Sequence, residues 1–256
     1  MPFVLKLLLV PSLIALVTLA GRRWGPSVAG WLSAFPIVSG PILLAMALEQ
    51  GSDFAAVAAA NTLLAVLAVL AFSVVYARMA ARAGVPACLC AALLVWGLAV
   101  AVLQDLQLAP WIGFAFVAAG LLVAPRLIGQ PPAPAAVNAG PVRDLPWRML
   151  AGAALTLGVT GAASALGPAL SGLFAMFPVM STVLVGFSHR ASGAGFAVAL
   201  LRGMVGGYYA FAVFCLTLAL LLPGRAPGPV FALATACALV VQLGVRGLTQ
   251  ARARRP

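Results

Sequence analysis

The chain has 256 residues, 64% of them hydrophobic and 7% charged, with a formal net charge of +11. So apolar a composition excludes an ordinary soluble globular domain. It also argues against a nucleic-acid binder, because the basic residues stand singly or in pairs at the ends of apolar runs, as topology signals do. Only Arg252, Arg254 and Arg255 cluster, and they read as a solvated cytoplasmic tail near anionic lipid.

Apolar stretches near 20 residues recur along the chain, each matching a hydrocarbon core about 30 Å thick. A spanning backbone must satisfy its own hydrogen bonds, and the spacing lacks the alternation of barrel strands. The predicted fold class is therefore all-α, a polytopic membrane protein. Nine helices are predicted, over 3–20, 26–48, 54–80, 85–103, 108–127, 147–166, 168–188, 194–222 and 228–247. The first resembles a signal peptide, with Lys6 ahead of an apolar run. Arg22 and Arg23 follow that run, however, no good small-x-small cleavage site is present, and the segment has a counterpart at 148–166, so it is read as a transmembrane helix. The eighth is long enough to tilt or protrude. Between the fifth and sixth, GQPPAPAAVNAGPVRDLP reads as an extended loop.

The chain repeats itself. GPSVAGWLSAFPIVSG at 25–40 and GPALSGLFAMFPVMST at 167–182 align without a gap at an offset of 142 positions. The same offset pairs Lys6 with Arg148, Thr18 with Thr160, Gly51 with Gly193, Phe54 with Phe196 and Phe72 with Phe214. Helices one to four thus correspond to six to nine, and the fifth has no counterpart. A four-helix unit ends on the side where it began, so one extra crossing starts the second unit from the opposite side. The expected organisation is a first membrane repeat at 1–105, a linker helix and Pro-rich cytoplasmic loop at 106–146, and a second, inverted repeat with its basic tail at 147–256.

Charge supports the inversion independently. The loops after helices one, three, five and seven hold Arg22 and Arg23; Arg78 and Arg82; Arg126, Arg143 and Arg148; and Arg190. Those after two, four, six and eight hold Glu49 and Asp53, then Asp105, then no charge, then Arg225. The positive-inside rule places the first set in the cytoplasm, with the N-terminus outside and the C-terminus inside a bacterial inner membrane.

Pro36 and Pro178 each lie about 15 Å into their helices, near the bilayer midplane. Proline has no N–H and clashes with the preceding turn, so the carbonyls of Leu32 and Phe174 lose their usual partners. A helix broken there exposes N–H groups with partial positive charge, and Ser39 and Ser181 place a hydroxyl on the following turn. Two such breaks related by inversion would form a polar midplane site; the bland alternative is a pair of ordinary kinks. Arg202, about 12 Å deep in helix eight, is the most unusual residue. Such a charge costs about 2.5–3.5 kcal/mol on insertion scales, so it must meet water, backbone carbonyls, an anionic ligand or, by snorkelling, headgroups. Its repeat partner is Ala60, beside Asn61, which is expected to be buried and to bond between helices. Gly203 and Gly207 form a G-x-x-x-G, read as a packing seam before a hinge. Tyr208, Tyr209 and Gln242 are further cavity candidates. The candidate substrate-binding set is Pro36, Ser39, Asn61, Pro178, Ser181 and Arg202.

Asp53 is expected to cap its helix, Glu49 lies at an outer end, and His189 sits beside Arg190 in a loop with no catalytic partner. Cys88, Cys90, Cys215 and Cys237 lie in apolar runs as packing residues, without zinc or redox spacing. No Ser/His/Asp set, metal-ligand spacing or phosphate-cradling glycine loop is present, so the sequence implies no enzyme, cofactor or metal.

Each half is similar to the GlpM family of small four-helix bacterial inner-membrane proteins. The resemblance rests on SGLFAMFPVMS at 171–181 and ASGAGFAVALLRGM at 191–204, with Arg202 at the family's arginine. The first half keeps AGWLSAFP at 29–36 and LEQG at 48–51 but has Ala60 and Asn61 where that arginine would stand. It covers about 200 residues and omits helix five, the linker and the tail. It implies a link to glycerol 3-phosphate metabolism or exopolysaccharide production, and a phosphate-bearing substrate would suit Arg202. The reading is a carrier of a small or anionic substrate in the lipid bilayer, or else a non-transporting scaffold for envelope assembly. An oligomer is left open.

Overall fold

The computed structural model of the chain describes residues 3–37, 39–131, 144–165 and 177–253. Nine helices are described: α1 (Phe3–Trp24), α2 (Pro26–Ser33), α3 (Ser39–Gln50), α4 (Ser52–Met79), α5 (Val85–Leu103), α6 (Pro110–Ile128), α7 (Leu145–Ala165), α8 (Val179–Leu221) and α9 (Pro227–Ala253). No strand occurs among these residues. Five helices, α4, α5, α6, α8 and the Pro227–Gly247 part of α9, are long and apolar enough to cross a membrane. The chain is an all-helical protein with several membrane-length spans.

Local chemistry accounts for the helix ends. α2, α5 and α6 carry proline in their first turn, where the missing N–H would have had no partner. Hydroxyls inside spans bond back to their own helix, Ser73 to the Val69 carbonyl and Thr217 to the Val213 carbonyl, both at 2.8 Å. In hydrocarbon no water would satisfy them.

The predicted boundaries shift in informative ways. The predicted second helix is two helices, α2 and α3, with a turn over 34–37 between them. The predicted eighth continues from the second half of the seventh as α8, which turns a corner at Gly193 (φ 82°, ψ 174°). Residues 168–176 of the predicted seventh lie outside the described residues. Asp53 does not cap α4; Gly51 stands at that position, and Asp53 lies exposed in the first turn.

α4 and α8 form the centre, with Leu63, Phe72 and Tyr76 of one and Leu201, Cys215 and Leu218 of the other fully buried. α5 and α6 flank α4, α9 flanks α8, α2 lies along α8, and α1 pairs with α7. α6, in the predicted linker, is a packed member of the bundle. The outward surface is apolar: Leu94, Val102, Trp111, Leu122, Val240 and Leu243 are all exposed. A water-soluble protein does not present such a surface, and lipid accepts it.

Contacts sort the helix ends into two faces. Arg78 bonds the Leu127 carbonyl, Tyr76 meets His189, and Arg148 meets Ser188. These bring together the ends of α4 and α6, the start of α7 and residues 188–190. At the opposite face, Ser52 Oγ donates to the Arg225 carbonyl at 2.9 Å. Arg78, Arg126, Arg148 and Arg190 therefore share one face, away from Asp53 and Arg225.

Candidate functional site

The first break begins where α2 ends at Ser33. The Phe35 N–H turns back to the Leu32 carbonyl at 3.3 Å, so that carbonyl is not orphaned as expected. The Trp31 carbonyl, which loses its place in the helical ladder, receives the Gln242 Nε2 donor from α9 at 3.0 Å. Across the proline the Ile37 N–H bonds the Phe35 carbonyl at 2.7 Å, and the Gly40 N–H reaches the Pro36 carbonyl at 2.9 Å.

The second break has the same backbone where it is described. Val179 N–H bonds the Phe177 carbonyl at 2.7 Å, and Thr182 N–H the Pro178 carbonyl at 2.8 Å. Pro178 (φ −77°, ψ 58°) is the centre of an inverse γ-turn. The carbonyl of Phe174, the other expected orphan, lies outside the described residues.

Both breaks converge on one stretch of α8. A Cβ on Gly30 would collide with the Leu200 carbonyl, and one on Gly203 with the Ser27 carbonyl. At Gly207 a Cβ would lie 2.6 Å from the Trp31 carbonyl and 2.7 Å from the Ala34 Cβ. α2 thus docks backbone to backbone on the 200–207 segment, and G-x-x-x-G acts as a seam. From another side Ser181, 2% exposed, donates to the Met204 Sδ at 3.5 Å, with Tyr208 as its other polar neighbour.

Sulfur is a weak acceptor, and the adjacent Thr182 hydroxyl is buried without a partner among the described residues, as are Trp31 Nε1 and Gln242 Oε1 at the first break. An unpaired buried polar group costs about 1–3 kcal/mol, so both breaks hold unmet hydrogen-bonding capacity, and at the second it is a hydroxyl. Ser39 is half-buried, and Pro36 and Pro178 are buried.

Arg202 is directed elsewhere. Its guanidinium donates to the carbonyls of Pro125, at 3.2 Å, and Gly129. With Arg78 on Leu127, two arginines occupy the last carbonyls of α6, where the helix end is partially negative. This is the carbonyl alternative among those open for Arg202. Asn61, expected to be buried, is exposed on α4. The six candidates therefore do not converge on one point: the breaks share α8, Ser181 faces Met204, Arg202 faces α6 and Asn61 faces outward.

Sequence reasoning missed a polar cluster at the arginine-bearing face. Arg148, 6% exposed, pairs with Asp144 at 2.8 Å, donates to Ser188 at 3.1 Å and lies 5.6 Å over the Phe187 ring. His189 is a helical residue, and its Nδ1 is 3.1 Å from the Tyr76 hydroxyl. The i,i+4 spacing of Asp144 and Arg148 was a readable signal; the long-range partners were not. Among the described residues no group of His, Cys, Asp or Glu is placed to hold a metal. The chain matches no protein-family model, no curated protein and no solved structure.

Proposed function

We propose that this protein is a bacterial inner-membrane carrier for a small polar solute, built from two four-helix repeats of opposite orientation with α6 as the connecting span. The observation that carries the reading is the pair of matching proline turns, each followed by a helix. Their hydrogen bonds recur at the 142-residue offset, from Ile37 and Gly40 to Val179 and Thr182, and both breaks bear on the same stretch of α8.

Other features of the backbone support it. Gly51 (φ 96°) and Gly193 (φ 82°) turn equivalent corners in a region that only glycine adopts readily. α1 starts at Phe3 and α7 at Leu145; α5 starts at Val85 and α9 at Pro227. The gathering of arginines on one face supports a cytoplasmic placement of that face, with the N-terminus outside.

In this reading the solute binds at the second break, where Ser181, Thr182 and Tyr208 offer hydroxyls. The conformation described is closed, because α2 is seated tightly on α8. An anionic substrate, such as the phosphate-bearing one that the resemblance to GlpM proteins implies, would draw Arg202 from the α6 carbonyls. Rocking of one repeat against the other would alternate access.

The second reading is a non-transporting scaffold for envelope or exopolysaccharide assembly. The α2–α8 seam and the employment of Arg202 on α6 favour it. Proteoliposomes holding the purified protein, challenged with neutral and phosphorylated polyols, separate the two. The carrier reading expects protein-dependent flux that falls at least about tenfold in Ser181→Ala with Thr182→Val, a loss of about 1.4 kcal/mol in transition-state binding. No flux of any member of the panel, in either direction, supports the scaffold.

A further inference from the structure

His189 is the chain's one histidine. It lies on α8 at the arginine-bearing face, half-buried, with its ring edge-on to Tyr76 at 5.8 Å between centroids. Tyr76 is fully buried in α4, so its hydroxyl has no water to turn to. In the Nε2–H tautomer of the neutral imidazole the hydroxyl donates to Nδ1 at 3.1 Å, and the ring also bonds the Ala80 carbonyl just past the end of α4. One neutral imidazole therefore joins the core of α4 to the half-helix that follows the second break.

We propose that His189 is a proton-responsive latch: neutral, it holds this end of α8 against α4, and protonated, it lets the two part. Protonation places hydrogen on Nδ1 and reverses the contact: the Tyr76 oxygen now accepts, its own hydrogen loses its acceptor in a buried site, and the half-buried ring takes on a charge. The charge has no compensating partner among the described residues. From α4 the ring faces Tyr76, with Arg78 turned to α6 and Arg82 exposed beyond the helix end. From α5 the titratable group at this end is the Cys88 thiol, which lies beside Tyr76. From α7 the nearest charges are Arg148 and Asp144, already paired directly with each other while Arg148 also donates to Ser188, and on α8 itself stands the exposed Arg190. The surplus around His189 is cationic. Histidine is also the side chain whose unperturbed titration lies nearest neutral pH, so acidification is the signal that operates the latch. The inference needs no substrate and stands whether or not the chain transports.

Cys88 supplies a native reporter, since it is fully buried at the latch with its thiol donating to the Ala83 carbonyl at 3.5 Å. The full-length protein with Cys90, Cys215 and Cys237 changed to Ala is placed in nanodiscs and labelled with a dithiodipyridine, which reacts with thiols in acid. The rate is divided by that of the same protein carrying His189→Gln, which cancels the thiol's own pH dependence. The latch expects this ratio to rise about 2–10-fold between about pH 8 and about pH 5.5, the consequence of one lost hydrogen bond. Tyr76→Phe should label faster than the parent near pH 8 and lose most of the pH response. A ratio that stays flat over that range overturns the proposal. Should His189→Gln fail to fold, histidine-selective ¹⁵N NMR of the unaltered protein gives a single imidazole. Titration with a coincident shift of the Tyr76 signal supports the latch, and an imidazole that stays neutral, or titrates without that shift, overturns it.

Discussion

The two breaks have one backbone and different surroundings. At the first, Gln242 supplies the Trp31 carbonyl and Ser33 Oγ returns to the Gly30 carbonyl at 2.8 Å, while α2 is pressed onto α8. At the second, the Ser181 hydroxyl donates to the Met204 sulfur and neighbours Tyr208, and the Thr182 hydroxyl has no partner among the described residues. Both breaks keep unmet polar atoms, Trp31 Nε1 and Gln242 Oε1 at the first and Thr182 Oγ1 at the second, and the first is the one pressed backbone to backbone onto α8. A duplicated segment can thus be clamped backbone to backbone in one copy and held through side chains in the other, and the residues that decide this lie outside the duplicated segment.

Variants should separate the two roles, in descending order of effect. Gly203→Val puts a branched side chain against the Ser27 backbone and should destabilise by about 3 kcal/mol or more, read as a collapse of the monodisperse peak and of the thermal midpoint in detergent. Recovery of wild-type melting would remove the seam from the account. Gly51→Ala and Gly193→Ala should each cost about 1–3 kcal/mol, and by similar amounts, because both hold a conformation nearly restricted to glycine. A large effect at one and none at the other would argue that the corners are unrelated. Gln242→Leu leaves the Trp31 carbonyl without its donor and should cost about 1–3 kcal/mol in the same assay, sharpening the contrast if Ser181→Ala costs less. Arg202→Met should cost about 0.3–2 kcal/mol and speed hydrogen exchange in the last turn of α6, and unchanged exchange there would deny Arg202 its place on Pro125 and Gly129.

Much of the fold was legible because its signals are local. Apolar length located the spans, Pro36 and Pro178 located the breaks to within a few residues, and the spacing of Gly203 and Gly207 identified a seam. What failed was facing. Nearly every side chain of α4 is apolar, so no stripe marked which side looks inward, and Asn61 was read as buried when it is exposed. The partner of Arg202 was invisible for another reason, since backbone carbonyls at a helix end carry no residue signature. His189 falls just past the predicted seventh helix, 168–188, and so in a loop beside Arg190, yet the helix continues to the corner at Gly193. Its partner Tyr76 is 113 positions away, and only packing could bring the two together.

The central proposal is that equivalent points of the two halves face opposite sides of the membrane. Topology reporters fused after Arg23 and after Ala165, positions 142 residues apart at the ends of α1 and α7, test it directly. The account predicts a cytoplasmic signal for the first and an external signal for the second. The same side for both would mean that the halves are parallel, and would remove the inverted carrier with them.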